Sequence, residues 1–369
     1  MSLSKWPAGG ERELALLREV IEGEHWGGHH PMVGRLEREF AAFCGCAYGL
    51  AACNGTVTLE MALEALGVGA GDEVIVPAIS FISTATAVSR VGATPVFVDI
   101  EGDTFQLDPQ RAAAAISKRT RAMIAVHFGG PMADMDRLKS AGLALVEDAA
   151  HAHGSEWNGR RAGSWGVAAS FSFQNSKVMT AGEGGMLTSN DEELLARART
   201  VGDQGRVAGG GWFFHHEIGT NYRMSALQAA VLLAQFEKLP EQNCRRARNA
   251  RILQEETQGV KGLCWQEVPP AARVHTNYLS LGRIDSAAMG RTRDDFQRAL
   301  TGLGIPCTAF YPHTLYNNPV YRRGGCRVEP CPVSEACILD AFWLPHRVLL
   351  GSGEETRAAA AAIWQAAGQ

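Results

Sequence analysis

From about residue 57 the chain alternates between two hydrophobic periods. TVTLEMALEALGV (56 to 68) spaces its apolar residues as on one face of a helix, VIVP (74 to 77) is a short continuous apolar run, and FISTATAVSRVG (81 to 92) returns to helical spacing. PVFVDI (95 to 100), AMIAVHFGG (122 to 130), LALVEDA (143 to 149) and AASFSF (168 to 173) continue the series, with helical segments between most of them. Apolar runs that alternate with helices predict an α/β fold built on a mainly parallel sheet with helices on both faces. Ligands of such sheets collect beyond the carboxyl ends of the strands, and Asp148 and the stretch 174 to 177 both fall at such ends.

The pattern changes near residue 225. SALQAAVLLAQFEKL and an arginine-rich helical stretch after Pro240 read as a bridge to a second unit. HTNYLSLGRI (275 to 284), TRDDFQRALTGLG (292 to 304) and a closing helix from about Glu354 predict a smaller α+β domain. The expected division is a large domain over 1 to 240 and a small C-terminal domain over 241 to 369.

One stretch interrupts this regular alternation. In SFSFQNSKVMTAGEGG (170 to 185), Phe171 and Phe173 alternate with serines as on a half-buried strand, and Lys177 follows before a loop with glycines at 182, 184 and 185. The chain holds six lysines against 29 arginines, and the other five stand in polar or amphipathic surroundings. An amine at that place can lose its proton when desolvated and form a Schiff base with a carbonyl, which a guanidinium cannot. The plain alternative is a solvated loop lysine.

Composition narrows the classes. The 369 residues are 46% hydrophobic and 20% charged, with a formal net charge of −4, which suits a soluble globular protein and gives nucleic acid or an anionic membrane no basic stripe to bind. No apolar run is long enough for a membrane span, and the start MSLSKWPAGGERELALLREV lacks the apolar core of a signal peptide, so a cytoplasmic protein is expected. Nine cysteines without paired CxxC spacing read as reduced thiols. Cys326, Cys331 and Cys337 lack a histidine at ligand spacing, and His29 and His30 lack an acidic or cysteine partner, so no metal is expected.

Three further segments carry chemistry. NGTVTLEMALEAL (54 to 66) sets a small, hydroxyl-bearing turn at a helix N-terminus, where free N–H groups favour a phosphate, although an ordinary cap reads the same way. VEDAAHAHG (146 to 154) ends an apolar strand on an acidic residue able to hold a cationic ring nitrogen, or to cap a helix. Phe81 follows a strand closely and can stack on a ring or belong to the core.

Taken in order with the lysine loop, these segments resemble the DegT/StrS family of pyridoxal-phosphate-dependent sugar aminotransferases, which have the aspartate-aminotransferase type of fold. The resemblance covers nearly the whole chain, through NGTVTLEMALEALGVGAGDEVIVPAISFISTATAV, GATPVFVDI, VEDAAHAHGSEWNGRRAGSWG, FSFQNSKVMTAGEGGMLTSND and EIGTNYRMSALQAAV. It implies that pyridoxal phosphate is the cofactor, that Lys177 carries the covalent link to it and later shuttles the proton, and that Asp148 keeps the pyridine protonated. It also implies that Phe81 stacks on the ring and that Thr56, the N–H of Val57 and Ser172 hold the phosphate. Many members have glutamine three residues after the aspartate, contacting the phenolic oxygen. Here His151 stands there, and a charge on it would alter the cofactor's absorbance; simple packing of His151 and His153 beside the strand is the alternative. Asn221 and Arg223, in GTNYRM, match positions that members extend from a neighbouring subunit toward the phosphate and the substrate carboxylate, which implies at least a dimer; a structural ion pair is the alternative for Arg223. His313, in FYPHTLYNNPVY, matches a position that often faces substrate.

In motif wording the chain is most similar to the branch with 3-amino-5-hydroxybenzoate synthase and the aminocyclitol aminotransferases. The N-terminal EHWGGHHPMVGRLEREF departs from the family's glycine-serine pattern. The expected activity is amino transfer from glutamate or glutamine to a keto group of a sugar nucleotide or ketocyclitol. An aromatising dehydration and a non-catalytic cofactor-binding regulator are the competing readings.

Overall fold

The structure is a computed structural model and describes residues 4–369. In chain order its strands are β1 (Tyr48–Ala52), β2 (Glu73–Pro77), β3 (Thr94–Val98), β4 (Thr120–Val126), β5 (Ala144–Asp148), β6 (Glu156–Trp157), β7 (Arg160–Arg161), β8 (Ala168–Ser172), β9 (Gly185–Ser189), β10 (Leu263–Trp265), β11 (Leu279–Ile284), β12 (Thr308–Ala309), β13 (Arg327–Val328) and β14 (Ala341–Pro345). Eight form one sheet in the order β1-β9-β8-β5-β4-β2-β3-β13. From β8 to β13 every pairing is parallel; β9 runs antiparallel to both β8 and β1. The expected mainly parallel α/β sheet is therefore borne out, with one reversed strand near its edge.

The sheet is buried on both faces, which is why its central strands read as unbroken apolar runs rather than alternating ones. Val74, Ile75 and Val76 on β2 and Ile124 and Ala125 on β4 have no exposed surface. One core packs helices α1 (Glu11–Glu22) and α2 (Pro31–Cys44) and the first part of the long helix Ala226–Glu256 on one side, through Leu36, Phe40, Phe171 and Leu233. The opposite face packs α3 (Gly55–Ala65) and α4 (Ser83–Arg90), through Leu59, Leu63 and Val88. His30 caps α2, its Nδ1 accepting from Met32 N at 3.1 Å.

A second, antiparallel sheet runs β10-β11-β14-β12 and shares a core with the end of the long helix and with the closing helix Gly353–Ala367, through Leu253, Phe296, Phe342 and Ile363. The long helix is continuous across Pro240, so residue 240 lies inside an element rather than between two. Proline there lacks an N–H to donate, at a typical cost of about 3 kcal/mol in a helix interior. A capping box between Ser225 and Gln228 and a buried apolar face on either side of the proline offset that cost. Downstream, β13 returns to pair with β3, so a segment beyond residue 300 completes the edge of the large sheet.

Candidate active site

The carboxyl ends of β5 and β8 lie side by side, Asp148 opposite Ser170 in the register. Side chains alternate along β5, so Glu147 and Asp148 serve different neighbourhoods. Glu147 is fully buried and accepts N–H bonds from Gly163, Trp165 and Gly166 at 2.8–3.0 Å, and its Oε2 lies 3.0 Å from His127 Nε2. Burial alone would raise its pKa; the His127 bond and these N–H groups outweigh that and hold it below the usual carboxylate value. Asp148 faces the opposite neighbourhood, where Oδ2 accepts from Thr84 Oγ1 at 2.8 Å and Oδ1 from Ala150 N at 3.3 Å.

α3 starts against the end of β8. A Cβ placed on Gly55 would stand 2.8 Å from Ser172 Cβ and 3.2 Å from Phe171 O, so only glycine lets this backbone approach so closely. Thr58 Oγ1 lies 2.6 Å from Ser170 Oγ, and Thr56 Oγ1 lies 2.7 Å from Ser83 Oγ at the start of α4. The N–H of Val57 is already used, donating to Asn54 Oδ1 at 3.0 Å. The N–H groups of Gly55 and Thr56 precede the first intrahelical bond and have no acceptor among the described residues. Phe81 lies between β2 and α4 with 59% of its surface exposed, unusual for a phenylalanine in so well packed a region.

Lys177 sits in a tight loop in which its N–H donates to Gln174 O at 2.8 Å. Its Nζ stands 4.8 Å from the ring centroid of Tyr278, over the ring face, and no carboxylate pairs with it among the described residues. The loop is tied from far along the chain: Trp6 Nε1 donates to Asn175 O at 3.1 Å, His346 Nε2 to Ser176 O at 3.1 Å and His153 Nε2 to Ser172 O at 2.9 Å. Sequence reasoning missed Tyr278, His346 and Trp6, and no local signal marks them. Thr84 was also missed, although a threonine in the first turn of α4, three residues after Phe81, is a recognisable position.

The histidines beside this loop are neutral. Burial, then the positive charge of Lys177, holds the His151 pKa well below 6.5, and the same two causes lower His153 to about 3. His346 is lowered by burial and by the nearby Arg246. His151 Nδ1 accepts from Gly129 N at 3.3 Å, which leaves the proton on Nε2. The same causes favour the uncharged imidazole at position 151, which can still donate a hydrogen bond.

Asn221 and Arg223 lie elsewhere, along the outer edge of β1. Arg223 bridges to Ala52, Asn221 to Asp203, and Cys53 N donates to Tyr222 O at 2.7 Å. Arg223 Nη1 meets Asp203 Oδ1 at 2.5 Å, and Arg206 Nη2 meets the same oxygen at 2.8 Å. None of the hydrogen bonds of Asn221 or Arg223 reaches Lys177 or Asp148 of the same chain. His313 bonds Asn318 Oδ1 at 2.9 Å within its own loop, which docks on the end of β2 through Leu315 N and Ala78 O.

Residues 7–362 match the DegT/DnrJ/EryC1/StrS aminotransferase family. The chain belongs to that family. Among DegT/DnrJ/EryC1/StrS proteins it is 38% identical to 3-amino-5-hydroxybenzoate synthase of Amycolatopsis mediterranei (strain S699), over 97% of this chain and 95% of the relative. It is 39% identical to L-glutamine:scyllo-inosose aminotransferase of Streptomyces griseus, over 86% and 80%. The crystal structure of 3-amino-5-hydroxybenzoic acid synthase superposes with a TM-score of 0.93 at 37% identity, covering 99% of this chain and 98% of the other. Membership makes this chain an aminotransferase with pyridoxal phosphate as cofactor, as the resemblance implied. Among the described residues no helix is long and apolar enough to cross a membrane.

Proposed function

We propose that this protein moves an amino group from glutamine or glutamate to a keto group of a ketocyclitol or a sugar nucleotide, in sites shared between two copies of the chain. The observation that carries the reading is the convergence of Lys177, the Thr84-anchored Asp148 and the acceptor-free N–H groups of Gly55 and Thr56 on one end of the sheet. A flat, cationic pyridine with a phosphate fits this donor and acceptor set. Asp148 accepts the ring N–H and Phe81 covers one ring face. Thr56, Ser172 and the start of α3 take the phosphate. The Val57 N–H, bonded to Asn54, contributes to the phosphate only if that cap opens.

Pyridoxal phosphate supplies a carbonyl that takes up the amino group and a protonated ring that draws electrons from the bond broken at the substrate carbon. The chain supplies the rest. Lys177 Nζ takes the proton from that carbon in one half of the cycle and returns one in the other. Asp148 keeps the ring nitrogen protonated, with Thr84 and Ala150 fixing its two oxygens. His151, neutral with its proton on Nε2, donates to the phenolic oxygen as a glutamine amide would.

Residues up to the first half of the long helix then form the cofactor-binding unit, and the second sheet forms a smaller unit against it. Pairing of two copies is supported by the loop after Asp203, where Phe213 is 88% and Ile218 99% exposed beside Trp212 and Phe214. Such an apolar stretch is uncommon on a monomer surface. Asn221 and Arg223 end this loop, so a second copy brings them toward the neighbouring site. His313, in a loop docked on the end of β2 close to Phe81 in sequence, faces the acceptor substrate. The nine unpaired cysteines support a cytoplasmic setting.

The cyclitol acceptor is favoured by the relatives, which include L-glutamine:scyllo-inosose aminotransferase. The likeness to 3-amino-5-hydroxybenzoate synthase supports a second reading, an aromatising dehydration. Absorbance separates the outcomes. Loaded protein whose visible band bleaches with glutamine or glutamate and returns with scyllo-inosose is a cyclitol aminotransferase. Growth of an aromatic ultraviolet band from an amino-ketocyclitol acid favours the second reading, and a band indifferent to every amino donor sinks both.

A further inference from the structure

The ring over which Lys177 lies belongs to the second sheet. Tyr278 precedes β11 and His346 follows β14, and His346 N donates to Tyr278 O at 3.0 Å, extending the ladder between these strands by one step. The two rings are 5.9 Å apart and 24° from parallel. His151 lies 4.3 Å from the same tyrosine ring at 34°. The Tyr278 hydroxyl lies 3.0 Å from Ser176 Oγ, and His346 Nε2 holds the Ser176 carbonyl. The residue before the lysine is therefore fixed at both its side chain and its backbone from one end of the second sheet.

We propose that Tyr278 is a positioning residue for Lys177: its ring face holds the free amine at the mouth of the site, and its hydroxyl, with His346, holds the loop that carries it. Fixing a lysine side chain costs rotamer entropy, and the attraction of the ammonium to the ring face offsets part of that cost, so the contact orients the amine without trapping it. A carboxylate would bind the ammonium more tightly and neutralise it, and none pairs with it among the described residues. His151 and His346 are uncharged against the ring, so neither competes with the ammonium for the ring face. Because Tyr278 and His346 both belong to the second sheet, any shift of that sheet moves the amine.

The inference rests on the reading that Lys177 carries the chemistry, and its first test is independent of turnover. In cofactor-free full-length protein grown with [ε-13C]lysine, six lysine signals are expected, and the one missing from Lys177→Arg belongs to Lys177. Its protons should be shifted upfield by the tyrosine ring current, the shift persisting in Tyr278→Phe and collapsing in Tyr278→Leu. In loaded protein, Tyr278→Leu should slow donor-driven bleaching about 10-fold at unchanged apparent KM, the rate equivalent of a lost cation–π contact, whereas Tyr278→Phe stays within about 3-fold. A wild-type Lys177 signal without upfield shift, or a leucine variant as fast as the phenylalanine one, overturns the proposal. A protein that binds no pyridoxal phosphate but keeps the shifted signal overturns the aminotransferase reading and leaves the contact standing.

Discussion

Thr84 Oγ1 donates to Asp148 Oδ2 at 2.8 Å and lies 2.7 Å from Ser80 Oγ. A threonine hydroxyl has one proton, and the carboxylate can only accept, so the Ser80 hydroxyl must donate to Thr84. The chain Ser80 to Thr84 to Asp148 runs one way and ends as a hydrogen bond on Oδ2, the oxygen that is not held by Ala150. Thr84→Val keeps the shape and removes this link. The expected result is cofactor affinity weakened about 10-fold, from the loss of one hydrogen bond to a charged group, with little change in melting temperature. Titration of the visible band with pyridoxal phosphate measures it, and unchanged affinity would show that Asp148 needs no such support.

Gly55 gives a steric prediction. Its missing Cβ is the space in which Ser172 sits, so Gly55→Ala must push α3 away from β8 or strain both. Overpacking of this kind costs about 1–3 kcal/mol. The variant should melt lower and bind the cofactor's phosphate more weakly, since the free N–H groups move with the helix. Inorganic phosphate protecting the cofactor-free wild type against thermal unfolding, but not the variant, separates the second effect from the first.

Four imidazoles shielded from water set the acid response, three of them buried and His275 half-buried. His151, His153, His275 and His346 all have pKa values lowered by burial, to about 3 for His153 and about 4 for His275. Below the unfolded value near 6.5 the unfolded chain therefore binds more protons than the folded one, and stability falls with pH until the folded values are reached. Each such group contributes about 1.4 kcal/mol per pH unit inside that window. Urea unfolding of the cofactor-free protein between pH 7 and about pH 5 should become steadily easier, and His275→Gln should reduce the slope by close to one proton. A flat profile in this range would mean that the imidazoles are not desolvated in solution.

Much of this site is legible in the sequence because it is local. Asp148, Ser172 and Lys177 are read from where apolar runs stop, and the start of α3 from a small-residue turn before a helical period. What the pattern hides is whatever acts across the chain. Tyr278 and His346 meet the lysine loop at separations of about 100 residues or more, and an aromatic before a strand looks the same whether it faces core or lysine. Pro240 misleads in the opposite direction. As a local breaker it divides the chain, yet tertiary burial on both sides carries the helix through it. Arg223 reads from its motif as a substrate ligand, but within one chain Asp203 holds it; two hydrogen-bonded arginines outweigh the burial that would raise that carboxyl and keep it below its ordinary value.

Whether Asn221 serves a neighbouring site is decided by mixing two dead proteins. Lys177→Arg keeps the charge but cannot make the covalent link, and Asn221→Ala removes an exposed side chain whose Oδ1 accepts from Arg223 N at 3.4 Å. Each variant alone should be inactive or nearly so. In a mixed dimer, the copy that retains Lys177 receives Asn221 from its partner, so one of the two sites is whole. Random re-pairing of equal amounts should restore about a quarter of wild-type activity. If Asn221 served its own chain, no mixed dimer would hold an intact site and activity would stay at the background. Ile218→Asp, placed on the most exposed apolar residue of the same loop, should abolish the rescue by keeping the copies apart, with a single-chain mass by light scattering as the independent check.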